Sequence, residues 1–184
     1  MNAAFHPFNL VVMGVSGCGK STVGEKLASR LNGQFADGDD FHPSANVERM
    51  SNGIALTDED RLPWLAAINR YLRQTESNRE VNVVACSALK RSYRDVLSDS
   101  TEVLFVHLVG DFELVLARSK ARANHFMNVG LLQSQFDTLE TPSQDESVIT
   151  VSIDAPIDVI TENTVLRIEQ SSMFRNFQLN TYPG

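Results

Sequence analysis

The stretch GVSGCGKS, Gly14 to Ser21, fits the pattern G-x-x-x-x-G-K-[ST]. The chemistry of that pattern is phosphate binding. Its glycines let backbone N–H groups turn inward around phosphate oxygens, and a helix starting at its end adds positive potential. Lys20 is suited to the β- and γ-phosphates of ATP, and the Ser21 hydroxyl to the accompanying Mg²⁺. The expected nucleotide contacts run Gly14, Val15, Ser16, Gly17, Cys18, Gly19, Lys20, Ser21 and Thr22. Cys18 needs no phosphate contact through its side chain. A small residue tolerated in the loop is the plainer reading, and an oxidation-prone thiol is the other.

A second cluster follows in FADGDDFHP, Phe35 to Pro43. Its acids can bind a metal, accept a proton, hold a substrate or cap a turn. They lie at the end of a short apolar segment read as a strand. In open α/β sheets ligands bind beyond the carboxyl ends of strands, so these acids fall beside the phosphate loop. That position favours a functional Asp39. Asp40 serves equally as a cap or a site residue, and His42 equally as a partner for a substrate hydroxyl or as a packing residue.

The elements that must position these groups alternate. Buried-strand patterns cover 8–14, the GQFADG segment, 81–88, 102–110 and the SVITVSID segment. Helical spacing follows Lys20, with Val23, Leu27 and Leu31 on one face. A second helix is expected from about Asp60, with Pro63 in its first turn and Leu62, Leu65, Ile68 and Leu72 sharing a face. Further helices are expected from about Leu89, over 111–122, over LLQSQFDTLETP and over APIDVITENTVLRIEQ. Strand–helix alternation implies parallel βαβ units: an α/β, three-layer P-loop NTPase sandwich with a five-stranded parallel sheet. The segment 171–184 has no clear period and is read as a tail, either disordered or packed as an extension.

The bulk numbers narrow the class. The chain has 184 residues with 42% hydrophobic and 21% charged, which suits one folded domain. Its formal net charge of −7 speaks against nucleic acid or a membrane surface as partner. Cys18 and Cys86 have neither disulfide-framework nor zinc spacing, so a reducing, cytoplasmic setting is expected. The N-terminal run is too short and lacks the basic flank of a signal peptide.

A phosphate loop alone permits switches, motors and kinases. The chain lacks an N-K-x-D, and its third strand ends ACSALK with no Walker-B aspartate. A small-molecule kinase fits better. Here GVSGCGKSTVGEKLA, ADGDDFHPSANVERMSNGIALTDEDRLPWL, ACSALKRSYRD and HFMNVGLLQSQFDTLETP resemble the thermoresistant-type gluconokinases, over about residues 8–170. Cys18 stands where serine is common in that family.

The resemblance implies a shikimate/adenylate kinase-like fold: a single kinase domain over 1–170, a small helical lid over about 118–140, and the tail outside it. It implies phosphorylation of D-gluconate at the C6 hydroxyl by ATP with Mg²⁺, and a homodimer. Asp37 then supports magnesium with Ser21, and Asp39 orients the attacking hydroxyl or takes its proton. Arg49, Arg61 and Lys90 are candidates for the gluconate carboxylate, with His42 on a hydroxyl. Arg118 and Arg122 would close over the phosphates from the lid, and Asp154–Pro156 would flank adenine. The alternatives are a kinase for another small hydroxyl acceptor, such as shikimate or a nucleotide, and a nucleotide-binding module without turnover.

Overall fold

β1 (Phe8–Met13) is buried along its whole length. Alternation explains how it serves two layers. Leu10 and Val12 join one apolar cluster, while Val11 and Met13 join the other. A strand covered on both faces belongs in the middle of a parallel sheet. In the computed structural model, which describes residues 8–74, 81–121 and 129–181, the sheet is five-stranded with order β2-β3-β1-β4-β5. The other strands are β2 (Gln34–Asp37), β3 (Val81–Ala85), β4 (Val103–Val109) and β5 (Val148–Ser152), and every pairing is parallel.

One helical layer includes α1 (Lys20–Arg30) and α7 (Ile157–Gln170), which contribute Val23, Leu27, Ile160 and Ile168 to the first cluster. The other includes α3 (Asp58–Gln74) and α4 (Arg91–Leu97), which contribute Trp64, Leu65, Ile68, Leu72, Tyr93 and Leu97. Between β2 and α3 lie a 3-10 turn (Gly38–Phe41) and α2 (Ser44–Ser51). Between β4 and β5 lie α5 (Phe112–Ala121) and α6 (Val129–Thr138). From β1 the chain moves out to β2, and from β3 it crosses back to β4. The strand order thus reverses at the β1–β3 seam, where a doubly wound sheet opens a crevice at its carboxyl edge.

The bounds of α3 and β3 differ from the sequence expectation for a physical reason, and the segment after Gln170 takes the packed alternative. α3 begins at Asp58, not near Asp60, because Thr57 and Asp60 form a reciprocal cap. The Thr57 N–H donates to Asp60 Oδ2 (2.9 Å) and the Asp60 N–H to Thr57 Oγ1 (3.2 Å). Pro63 therefore lies inside the helix, one turn in. Leu62 is the member of the expected apolar face that the structure leaves exposed. β3 ends at Ala85, and the backbone then leaves the ladder, with Ala88 at φ 45°. The expected tail contains α8 (Ser172–Thr181), whose Phe174 packs edge-on against Phe8 at a centroid distance of 5.0 Å. Two aromatics spaced three apart, Phe174 and Phe177, give that helix its grip on β1.

Candidate active site

The phosphate loop is built from backbone. Gly14 sits at φ 139°, a conformation that side chains rarely adopt, and a Cβ there would lie 2.8 Å from the Leu108 carbonyl oxygen. Its N–H donates to Ser87 O across the β1–β3 seam (3.2 Å). Gly19 caps α1 in the left-handed region at φ 101°. Val15 and Cys18 are buried in the first apolar cluster, with Cys18 1% exposed. Ser16, Gly17, Gly19, Lys20, Ser21 and Thr22 line a cleft of about 660 Å³. The Lys20 ammonium donates to the Val15 carbonyl (3.0 Å).

That cleft also holds Asp37, Asp39, His42 and Arg61. The structure therefore brings most of the sequence candidates together. Asp37 links the two motifs. The Ser21 hydroxyl donates to its Oδ2 (2.9 Å), and the Asp39 N–H donates to its Oδ1 (3.1 Å), capping the 3-10 turn. A hydroxyl beside a fixed carboxylate is an oxygen set suited to a hard cation that keeps several waters and phosphate ligands. Asp39 projects outward, its side chain 88% exposed, within the cleft. Gly38 allows this tight entry, since a Cβ there would meet the Ala85 carbonyl oxygen at 2.4 Å.

Trp64 organises the opposite wall. Its indole N–H donates to Gly38 O (2.6 Å), and its ring stacks on His42 at 4.3 Å and 13°. The Asn46 amide is oriented by donating to Asp60 O (2.7 Å), which turns the same NH₂ group toward His42 Nδ1 (3.5 Å). The neutral ring then carries its proton on Nε2, 4.0 Å from Asp39. Burial lowers the His42 pKa, Asp39 opposes that, and Arg61 lowers it further. Below these groups, burial pushes the Cys86 thiol up to about 12, leaving an uncharged wall.

The three cations proposed for a carboxylate separate. Arg61 lines the cleft. Lys90 instead bonds both oxygens of Asp58 (2.9 and 2.7 Å), beside the Tyr93 hydroxyl (2.5 Å). Those bonds, that of Lys90 foremost, hold the Asp58 carboxyl below its usual range. Arg49 pairs with Asp60 (3.4 Å), the acid that caps α3. Neither Lys90 nor Arg49 is among the cleft-lining residues. Arg118 donates to Ala155 O (2.6 Å), on the segment whose Ile157 lies close to Gly19. It too is absent from the cleft lining, and Arg122 lies outside the described residues.

Among the cleft residues that sequence reasoning missed, two make polar contacts that shape the site. Trp64 was legible only as part of the PWL segment. Gln135 of α6 lines the cleft and accepts the Ser16 N–H with its Oε1 (2.6 Å). The segment after α6 is pinned. Glu140 N–H donates to Leu89 O (2.8 Å), Arg91 N–H to Glu140 Oε2 (2.6 Å), and buried Arg94 forks onto Glu146 (2.5 and 3.1 Å). The Arg94 bond pulls the Glu146 carboxyl down to about 2.

Comparison with known proteins agrees with this geometry. A family model described as shikimate kinase matches residues 16–140. The thermosensitive gluconokinase of Escherichia coli (strain K12) is 45% identical over 168 residues, covering 89% of this chain and 90% of that protein. The gluconokinase of Gluconobacter oxydans (strain 621H) is 48% identical over 160 residues, covering 86% and 90%. The crystal structure of a gluconokinase from Sinorhizobium meliloti 1021 superposes with a TM-score of 0.84 at 41% identity, covering 98% of this chain and 100% of that one. With a phosphate loop, a second-strand acid pair and an arginine in one cleft, and relatives of that identity along most of its length, the chain belongs to the gluconokinase family, on the shikimate kinase fold.

Proposed function

We propose that the protein transfers the γ-phosphoryl group of ATP to the C6 hydroxyl of D-gluconate, giving 6-phospho-D-gluconate and ADP. The observation that carries this reading is the Ser21–Asp37–Asp39 connection, which joins the phosphate loop to an acid-lined acceptor wall inside one cleft. Family membership supplies the choice of acceptor.

Each residue has a separable job. Lys20 offsets charge on the transferred group, and the loop N–H groups hold the phosphates still. Asp39 orients the acceptor hydroxyl and accepts its proton as the bond to phosphorus forms. His42, fixed by Trp64 and Asn46, offers its Nε2–H to a second hydroxyl. Arg61 meets the carboxylate, a match of planar fork to planar anion. Magnesium, when bound, would neutralise charge on the phosphates, and Ser21 and Asp37 are the residues that would hold it. Arg118 belongs to the adenine side through Ala155. A homodimer in the cytoplasm completes the reading, and sedimentation equilibrium checks the assembly.

An ADP-release assay across an acceptor panel tests the function. Gluconate should support turnover, while shikimate and nucleoside monophosphates should not. Turnover with one of those but not with gluconate would reassign the acceptor. ATP binding without ADP release from any acceptor would leave a binding module.

A further inference from the structure

Gln135 makes a contact that the reading above does not use. Its carboxamide oxygen lies 2.6 Å from the Ser16 nitrogen. A backbone N–H meets only an acceptor, so this end of the amide is the oxygen. Ser16 belongs to the loop whose N–H groups receive phosphate oxygens. A carboxamide oxygen and a phosphate oxygen are both acceptors, and one N–H held at this distance cannot serve both fully. A phosphate oxygen that takes this N–H would therefore turn the amide, whose remaining polar atom is a donor, Nε2.

The position of that donor selects which phosphate it meets. Gln135 lines the same cleft as Asp39, His42 and Arg61, on the acceptor side of the loop. The phosphate facing that side is the terminal one. The helix that carries Gln135 is held in place. α6 ends in contacts from Glu140 to Leu89 O and to the Arg91 N–H, and Phe136 packs against Phe112 at 5.6 Å.

We propose that Gln135 is a terminal-phosphate residue of the kinase reaction. Its amide exchanges the Ser16 N–H for a phosphoryl oxygen, donating Nε2–H to the group being transferred. The inference rests on the kinase reading but not on the identity of the acceptor. It predicts that ATP is distinguished from ADP partly through this side chain.

The test uses Gln135→Glu and Gln135→Ala in the full-length enzyme with magnesium. Glutamate keeps the size and the acceptor for Ser16 but has no donor and adds negative charge. Its ATP affinity should fall at least roughly tenfold and kcat roughly a hundredfold, with ADP affinity changed less than about threefold. Alanine removes both the donor and the competing acceptor. Its KM for ATP should stay within about threefold while kcat drops roughly tenfold. Wild-type kcat and ATP affinity in Gln135→Glu would overturn the proposal. So would a Glu variant milder than the Ala variant, the order expected of a contact that only supports the fold. Equal weakening of ATP and ADP would mean loop distortion and would also overturn it. If the wild type fails to phosphorylate gluconate, the acceptor assignment falls, while the ATP-against-ADP binding comparison still decides this inference.

Discussion

The two halves of the cleft are made of different material. The nucleotide half is backbone: Gly14 and Gly19 in left-handed conformations, an N–H to Ser87 O, and side chains such as Val15 and Cys18 turned into core. The acceptor half is side chain: Asp39, His42 and Arg61 come from a 3-10 turn, its edge and α3, with Trp64 as common support. A phosphate is the same in every nucleotide, so a fixed backbone mould suits it. An acceptor varies between kinases, and side chains can change without disturbing the mould.

Substitutions on the two sides should therefore fail differently. The largest effect belongs to Lys20→Met, for which kcat should fall about a thousandfold with the fold intact. Steady-state kinetics and a thermal melt check this, and undiminished kcat would break the distinction at its strongest point. Asp39→Asn should lower kcat about a hundredfold while ATP affinity stays within about twofold. Calorimetric ATP titration of that variant separates the halves directly. Arg61→Ala should raise the KM for gluconate about thirtyfold and leave the KM for ATP unchanged, since it removes a charge-assisted bond to one substrate only.

A last effect, read in stability and not in turnover, concerns the foundation that both halves share. His107 of β4 lies beside Met13 of β1, and its Nδ1 has no hydrogen-bond partner among the described residues. Burial, with Arg94 adding to it, lowers its pKa from 6.5 to about 4. The unfolded chain thus takes up a proton before the folded one. The His107 contribution to stability is full above pH 6.5 and should fall by about 3 kcal/mol as pH falls to 4. Urea midpoints at pH 7 and 4.5 should show the decline in the wild type and a shallower one in His107→Leu. Equal slopes would remove His107 as the source.

The legibility of the sequence follows the same division. The loop, the five parallel strands and the acid pair are written in contiguous residues, where glycine spacing and apolar runs have one physical meaning. The acceptor wall is assembled from distant segments, and charge alone does not say which cation is left for a ligand. Arg49 and Lys90 look like Arg61 in sequence, yet Asp60 and Asp58 engage them. The Thr57–Asp60 cap was available as a threonine followed three residues later by an acid, and it would have moved the start of α3 to Asp58. Gln135 carried no such signal. A polar residue on an amphipathic helix normally faces water, and only the placement of α6 over the loop gives it a target.

The aromatic contact between Phe8 and Phe174 has a consequence for biosynthesis. β1 leaves the ribosome first among the described elements, and α8 leaves last. Phe8 stays without this aromatic cover until α8 is made, although the rest of β1 has long been complete. The nascent protein must carry an exposed ring at the amino end of β1, the end away from the phosphate loop, until α8 arrives. A C-terminal fusion that hinders the docking of α8 would hence act on yield and aggregation before it acted on turnover.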